Sequence, residues 1–201
     1  KRIRRALRLW INPAETELEK HLIGKGIKCE EPAHLYQKVA AATVVIETRG
    51  SIGSGVFIGP RLIATAAHVV NGKNLRVLLP QLEEDDLAKP GRSIEVDFVN
   101  RIKGLDLAFV TTLHSYHSWL NLEKNLQSET NMMIVGHPKA KYYSLQKARI
   151  KKKESIDSSE FGVFKDNEIF FGNSGGAMVN CNGNLVGVVS MMSNFQNSML
   201  K

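Results

Sequence analysis

From Thr43 to Val189 the chain is a succession of short runs rich in β-branched residues, most of them ended by a turn signal. Thr43-Val44-Val45-Ile46-Glu47 comes first. Gly55-Val56-Phe57-Ile58 follows and stops at the turn pair Gly59-Pro60. Leu62–Thr65, Leu75–Leu79, Leu105–Thr112, Met132–Val135 and Tyr142–Ile150 read the same way, and Ile94–Val99 alternates with period two. Ala177–Val179 and Leu185–Val189 are joined through Asn182-Gly183, a strong short hairpin signal. About ten short strands at this spacing predict an all-β barrel or sandwich. A parallel α/β sheet would need helical patterns between the strands, and none persists here.

The first 40 residues have a different texture. Asn12 is placed to cap a helix running to about Leu22, with Pro13 at the favoured first position. Gly24 and Gly26 break that pattern, and a second short helix is expected over 32–42. Three units follow: a basic, helical arm over 1–40, a first β unit over 41–120 and a second over 121–201. The chain starts at Lys1, so an excised or processed piece is expected.

Net charge is +7, concentrated in Lys1, Arg2, Arg4, Arg5 and Arg8 and again in Lys151-Lys152-Lys153. Such short runs usually form solvated faces. No basic strand is interleaved with aromatic residues, so the charge alone gives no firm nucleic-acid or membrane signal. Glu83-Glu84-Asp85-Asp86 reads as an exposed acidic loop. No apolar run approaches the roughly 18–20 residues that cross a bilayer. Cys29 and Cys181 sit in no recognisable metal or redox motif, and both are expected to be free. His114 and His117 have a ligand-like spacing but no third partner, so neither a metal nor a cofactor is expected.

Chemistry concentrates in Gly172-Asn173-Ser174-Gly175-Gly176. Glycines let the backbone turn sharply and bring its N–H groups close to a bound atom. A serine at the tip of such a turn can be a nucleophile beside an oxyanion hole. It needs a base and an acid that orients the base, and chain order restricts them. Gly172-x-Ser174-x-Gly176 formally fits the nucleophile elbow of α/β hydrolases, but no histidine follows Ser174. An aspartate before the histidine is also excluded, because Asp85 is the first aspartate and comes after His68. His, then Asp, then Ser survives. His68 follows a strand and the small residues Ala66-Ala67. Asp106 opens the apolar run Leu107–Val110 and is favoured over Asp97, Asp85 and Asp86.

Thr65-Ala66-Ala67-His68-Val69-Val70, Asp106-Leu107-Ala108 and Gly172–Gly176 together resemble the trypsin-like serine proteases, in texture their HtrA-like branch. Gly53-Ser54-Gly55-Val56-Phe57-Ile58 and Met133–Pro138 fit that branch as well, so the similarity spans about 42–193. The resemblance implies a chymotrypsin-like fold of two antiparallel six-stranded β-barrels with the site between them. It implies a serine endopeptidase in which Ser174 attacks, His68 transfers the proton, Asp106 orients His68, and the N–H groups of Gly172 and Ser174 hold the oxyanion.

Digestive trypsins carry Asp where this chain has Asn173, so activity is expected without a newly cleaved N-terminal amine. A polypeptide substrate would add as a strand along Ser190-Met191-Met192. Two alignments of the specificity pocket stay open. Glu168 would select basic P1 residues, whereas Asp166-x-x-Ile169-x-x-Gly172 implies small or medium apolar ones, and the second is favoured with Met192 narrowing the pocket. The arm at 1–40 is a candidate for homo-oligomer assembly. The compartment stays open: secreted or periplasmic by resemblance, and compatible with an intracellular effector or a viral protease. A catalytically silent binding module working through its basic surface, or an esterase using the same triad, are the competing readings.

Overall fold

The structure, a computed structural model, describes residues 32–82, 88–123, 131–156, 159–164 and 172–190. Residues 1–31, 83–87, 124–130, 157–158, 165–171 and 191–201 lie outside these ranges. The first helix expected in the arm, the acidic loop, Cys29, Glu168, Ile169, Met191 and Met192 are therefore not placed. The side chains of Lys151–Lys153 are likewise outside the description.

The described chain is mostly β. One helix, α1 (Pro32–Ala42), lies where the sequence expects it. Its buried residues Leu35, Tyr36, Val39 and Ala40 recur at helical spacing, so one stripe faces inward. The strands are β1 (Thr43–Thr48), β2 (Ser51–Gly59), β3 (Leu62–Thr65), β4 (Arg76–Gln81), β5 (Lys89–Ile94), β6 (Val96–Arg101) and β7 (Ala108–Thr112). After these come β8 (Asn131–Gly136), β9 (Ser144–Ile156), β10 (Ser159–Phe164), β11 (Ala177–Val179) and β12 (Leu185–Val188). They form a seven-stranded sheet, β5-β4-β1-β2-β3-β7-β6, and a five-stranded sheet, β10-β9-β8-β11-β12. The described strands thus divide seven and five, where six and six were expected.

The seven-stranded sheet cannot be flat. β5 and β6 are its two edges, yet only Glu95 separates them in the chain. Flat edges of seven strands would stand about 29 Å apart at the usual strand spacing, and one linking residue spans about 7 Å. The sheet must curl until its edges converge at Glu95. Register shifts at Leu78/Pro80, Phe57/Gly59 and Val96/Phe98 provide local bends. The period-two pattern over 94–99 therefore spans a corner between two strands. β5 escapes sequence reading because Pro90 and Gly91 disfavour a strand; an edge tolerates the proline.

Three apolar clusters result. One fills the curled sheet around Val44, Ile46, Phe57, Ile63 and Val110. A smaller one lies on the five-stranded sheet around Met132, Ile134 and Met178. The third joins both sheets and α1, packing Leu35, Tyr36, Val45, Val56, Met133 and Ala177 together. Tyr36 shows how α1 is fixed there. Its hydroxyl donates to the Tyr143 carbonyl at 3.0 Å and accepts from the Ala88 N–H at 3.2 Å, so the polar tip is satisfied inside the core. Leu35, Tyr36, Val39 and Ala40, from the end of the stretch expected as an arm, thus belong to the core.

Two further links hold the structure. Cys181 is disulfide-bonded. This corrects the expectation that its thiol is free: a cysteine outside any motif leaves no local spacing to read. The buried His137 sits just after β8. Its Nε2 lies 3.1 Å from the Val44 carbonyl of β1, and its Nδ1 accepts the Tyr143 N–H at 2.9 Å. These partners fix a neutral imidazole protonated on Nε2. Burial pulls its pKa down to about 4, outweighing the bond to Val44, which favours the charged form.

Two tests follow from these links. The cross-link at Cys181 holds the β11–β12 hairpin covalently, and removing a native disulfide typically costs about 2–5 kcal/mol. Reduction should therefore lower the melting temperature, by up to about 10–20 °C for a domain of this size; an unchanged melting curve would refute the constraint. His137 has a folded pKa below its unfolded value near 6.5. Its contribution is present above pH ~6.5 and lost as pH falls towards 4, up to about 3 kcal/mol. Urea midpoints should fall across that window, and His137→Gln should flatten the fall.

Candidate active site

The register of the curled sheet brings His68 to Asp106. Thr65, the last residue of β3, pairs with Ala108, the first of β7. His68 lies three residues beyond the former and Asp106 two before the latter. After β3 the chain enters a single 3-10 turn, Ala67–Val70, whose Val69 and Val70 are buried. Val69 rests directly on Gly53 of β2, where a β-carbon would come within 2.5 Å of its Cγ1. The glycine seats the turn, and the turn holds His68 outward with its side chain 40% exposed.

Asp106 comes from the tight β6–β7 connection, in which Gly104 takes φ +83°. Its Oδ2 lies 2.8 Å from His68 Nδ1, and its Oδ1 accepts the His68 backbone N–H at 2.9 Å. A third donor comes from the other sheet: Ser190 Oγ–H to Oδ2 at 2.7 Å. Partial burial works to raise the Asp106 pKa. The hydrogen bonds from the His68 side chain, Ser190 and the His68 N–H outweigh it, so the carboxyl titrates below 3.8. An ionised Asp106 accepting from Nδ1–H leaves Nε2 of a neutral His68 as the acceptor facing away. Asp97, the rejected alternative, pairs instead with Arg61 at 3.5 Å, both side chains about half exposed.

Ser174 lies in the turn between residue 171 and β11. Gly172 and Gly175 both have positive φ, +97° and +79°. A β-carbon on Gly172 would lie 2.1 Å from the His137 carbonyl oxygen, and one on Gly175 would lie 1.9 Å from that of Ser54. Conformation and space both require glycine at these two positions. The Gly176 N–H bonds to the Asn173 carbonyl at 2.7 Å and closes the turn. Gly175 N–H to Val189 O at 2.6 Å and Val189 N–H to Gly176 O at 3.0 Å tie it to the end of β12. The Ser54 N–H of β2 donates to the Ser174 carbonyl at 2.8 Å, so the turn is also bonded to the sheet bearing His68 and Asp106.

The structure therefore brings Ser174, Gly172 and Ser190 of one sheet to the sheet holding His68 and Asp106. Ser190, read in the sequence as part of the substrate edge, has its hydroxyl on Asp106. Asn173 is fully buried, with its Nδ2 donating to Gln146 Oε1 and its own Oδ1 unpartnered. His114 and His117 have other partners: His114 faces Glu95 at 3.9 Å and His117 contacts the Tyr116 ring. The contributions of Ser54, Ser190 and His137 escaped sequence reading, for no local pattern marks them.

Comparison with known proteins agrees with this arrangement. The family model described as the trypsin-like peptidase domain matches residues 53–188. No curated protein matches the sequence. Among solved structures, the inactive form of the Rv3671c protease is similar at a TM-score of 0.63 and 22% identity, covering 81% of this chain and 86% of that one. The active form of Rv3671c from M. tuberculosis gives 0.64 at 21% identity, over 84% and 79%. The serine endoprotease from Yersinia pestis gives 0.62 at 22% identity, covering 78% of this chain and 56% of that one. At these identities the structural likeness carries the fold, and the family match carries the membership: this chain belongs to the trypsin-like peptidase domain family.

Proposed function

We propose that the protein is a serine endopeptidase that cleaves polypeptides through an acyl-enzyme. The observation that carries this reading is the paired His68 and Asp106, with the Gly172–Gly176 turn hydrogen-bonded to their sheet. Ser174 Oγ attacks the scissile carbonyl while His68 Nε2 takes its proton. The imidazolium then protonates the leaving amine, and a water repeats the sequence to release the acid. Asp106 holds the imidazole in the required tautomer and stabilises its charged form. Its three hydrogen bonds keep it ionised throughout. The Gly172 and Ser174 N–H groups receive the oxyanion, an interaction worth about 10²–10³ in rate per donor.

The two sheets correspond, in this reading, to the two barrels of a chymotrypsin-like enzyme, over 41–120 and 121–201. The substrate joins as an added strand near Ser190, with apolar residues favoured at P1. The arm at 1–40 remains the candidate assembly segment.

A fluorophosphonate probe should label the wild-type protein and leave Ser174→Ala unlabelled; equal labelling of both would remove Ser174 from the role. Asp106→Asn should retain the fold and lose about 10⁴ in kcat, as expected for a wrong imidazole tautomer. A peptide-library digest separates a peptidase from an esterase and reads P1 directly. Asn173 carries no charge to pair with an amine. Chain with an acetylated N-terminus should therefore match the free form in kcat/KM, and a large loss on acetylation would contradict this.

A further inference from the structure

Ser54 stands apart from every group given a role so far. It lies in the middle of β2, fully buried, and all three of its polar groups are engaged around the nucleophile turn. Its N–H donates to the Ser174 carbonyl at 2.8 Å. Its Oγ–H donates to the Gly172 carbonyl at 2.8 Å. Its own carbonyl accepts the buried Thr65 hydroxyl at 2.6 Å and is the surface against which Gly175 packs. One residue of the first sheet thus touches Gly172, Ser174 and Gly175 of the second. The Gly172 carbonyl has one other donor, the His137 N–H, at a longer 3.3 Å.

The bond to Gly172 matters because of what a peptide plane couples. Holding the Gly172 carbonyl fixes the plane that it shares with the Asn173 nitrogen, and so fixes ψ at Gly172. Glycine has the widest choice of ψ of any residue, and Gly172 is already at φ +97°. Without the Ser54 hydroxyl only the longer His137 bond holds this plane. The plane links those that carry the Gly172 and Ser174 N–H groups, so its rotation changes the angle between the two donors. An oxyanion hole stabilises charge only while its donors are already aimed, since reorganisation during the reaction forfeits the gain.

We infer that Ser54 is a positioning residue that sets the oxyanion-binding conformation of the Gly172–Ser174 backbone from the opposite sheet, with Thr65 holding Ser54 in register. The inference rests on the serine-peptidase reading and adds to it a residue that touches neither substrate nor reacting atoms. Hydroxyl loss at this position weakens binding of the transition state and leaves ground-state binding of the peptide strand in place. That separates it from a merely structural serine, whose loss would lower the amount of folded protein and leave the kinetics of each folded molecule unchanged.

The test compares wild type, Ser54→Ala, Ser54→Thr and Thr65→Val on one peptide substrate and on the peptide aldehyde of the same sequence. Rates are normalised to the folded fraction measured by near-UV circular dichroism. Ser54→Ala should lower kcat by about 10–100-fold. The aldehyde, which forms a tetrahedral oxyanion adduct, should weaken by a similar factor, while KM stays within about three-fold. Ser54→Thr, which restores the hydroxyl, should recover most of the loss. Thr65→Val keeps the shape and should show the same signature in weaker form, which keeps the inference testable if Ser54→Ala does not fold. Wild-type kcat and aldehyde affinity in Ser54→Ala would overturn it, as would unchanged kinetics in Thr65→Val should Ser54→Ala not fold. A wild-type protein inert to substrate and probe would overturn the peptidase reading as well, so the two failures are distinguishable.

Discussion

The meeting of the two sheets is the constraint on which the site depends. In the proposed reading neither sheet carries the chemistry alone: His68 and Asp106 hang from the curled sheet, and Ser174 from the turn before β11. Their relative position is set by few contacts. Ser54 bonds to Gly172 and Ser174 from one side, and Ser190 reaches Asp106 from the other. Behind these lies an apolar cluster drawn from both sheets and α1. Burial there supplies non-directional cohesion, and the hydrogen bonds supply register. Such a division suits an active site, since a displacement of about 1 Å between nucleophile and base costs orders of magnitude in rate.

The glycines of the turn are part of the same constraint. Gly172 leans on the His137 carbonyl and Gly175 on that of Ser54, so the two positive-φ residues are wedged against opposite sheets. A side chain at Gly175 would push the sheets apart, and one at Gly172 would drive the turn off the end of β8. The sequence pattern Gly-Asn-Ser-Gly-Gly therefore reflects packing between sheets as much as the conformation of the turn.

Much of this was legible in the sequence. β-branched runs and turn pairs announced an all-β chain, and the Asn182-Gly183 hairpin and the helix over 32–42 lie where their local signals put them. Chain order left His, then Asp, then Ser, and the apolar run after Asp106 singled out that aspartate; the register of β3 on β7 gives His68 and Asp106 their contact. What stayed hidden depends on long-range packing. Ser54 and Ser190 are ordinary serines in strand-like surroundings until the second sheet arrives. His137 reads as one histidine among six. Cys181 carries no spacing that names a partner. β5, with Pro90 and Gly91, violates strand propensity and is tolerated only because it is an edge.

The first and last described elements touch. α1 lies against the β11–β12 hairpin, where Lys38 Nζ bonds to the Asn182 carbonyl at 3.1 Å and Gly183 packs on Leu35. Next to that contact, Cys181 is covalently tied as well. For a peptidase-family chain this has a consequence beyond thermodynamic stability. Transiently opened segments are the places where proteolysis starts, and under the proposed reading each molecule is surrounded by copies able to cut it. Clamping the first described helix onto the last described hairpin opposes local opening of both. The contacts that complete the core thereby bear on how long such a protein survives in its own company.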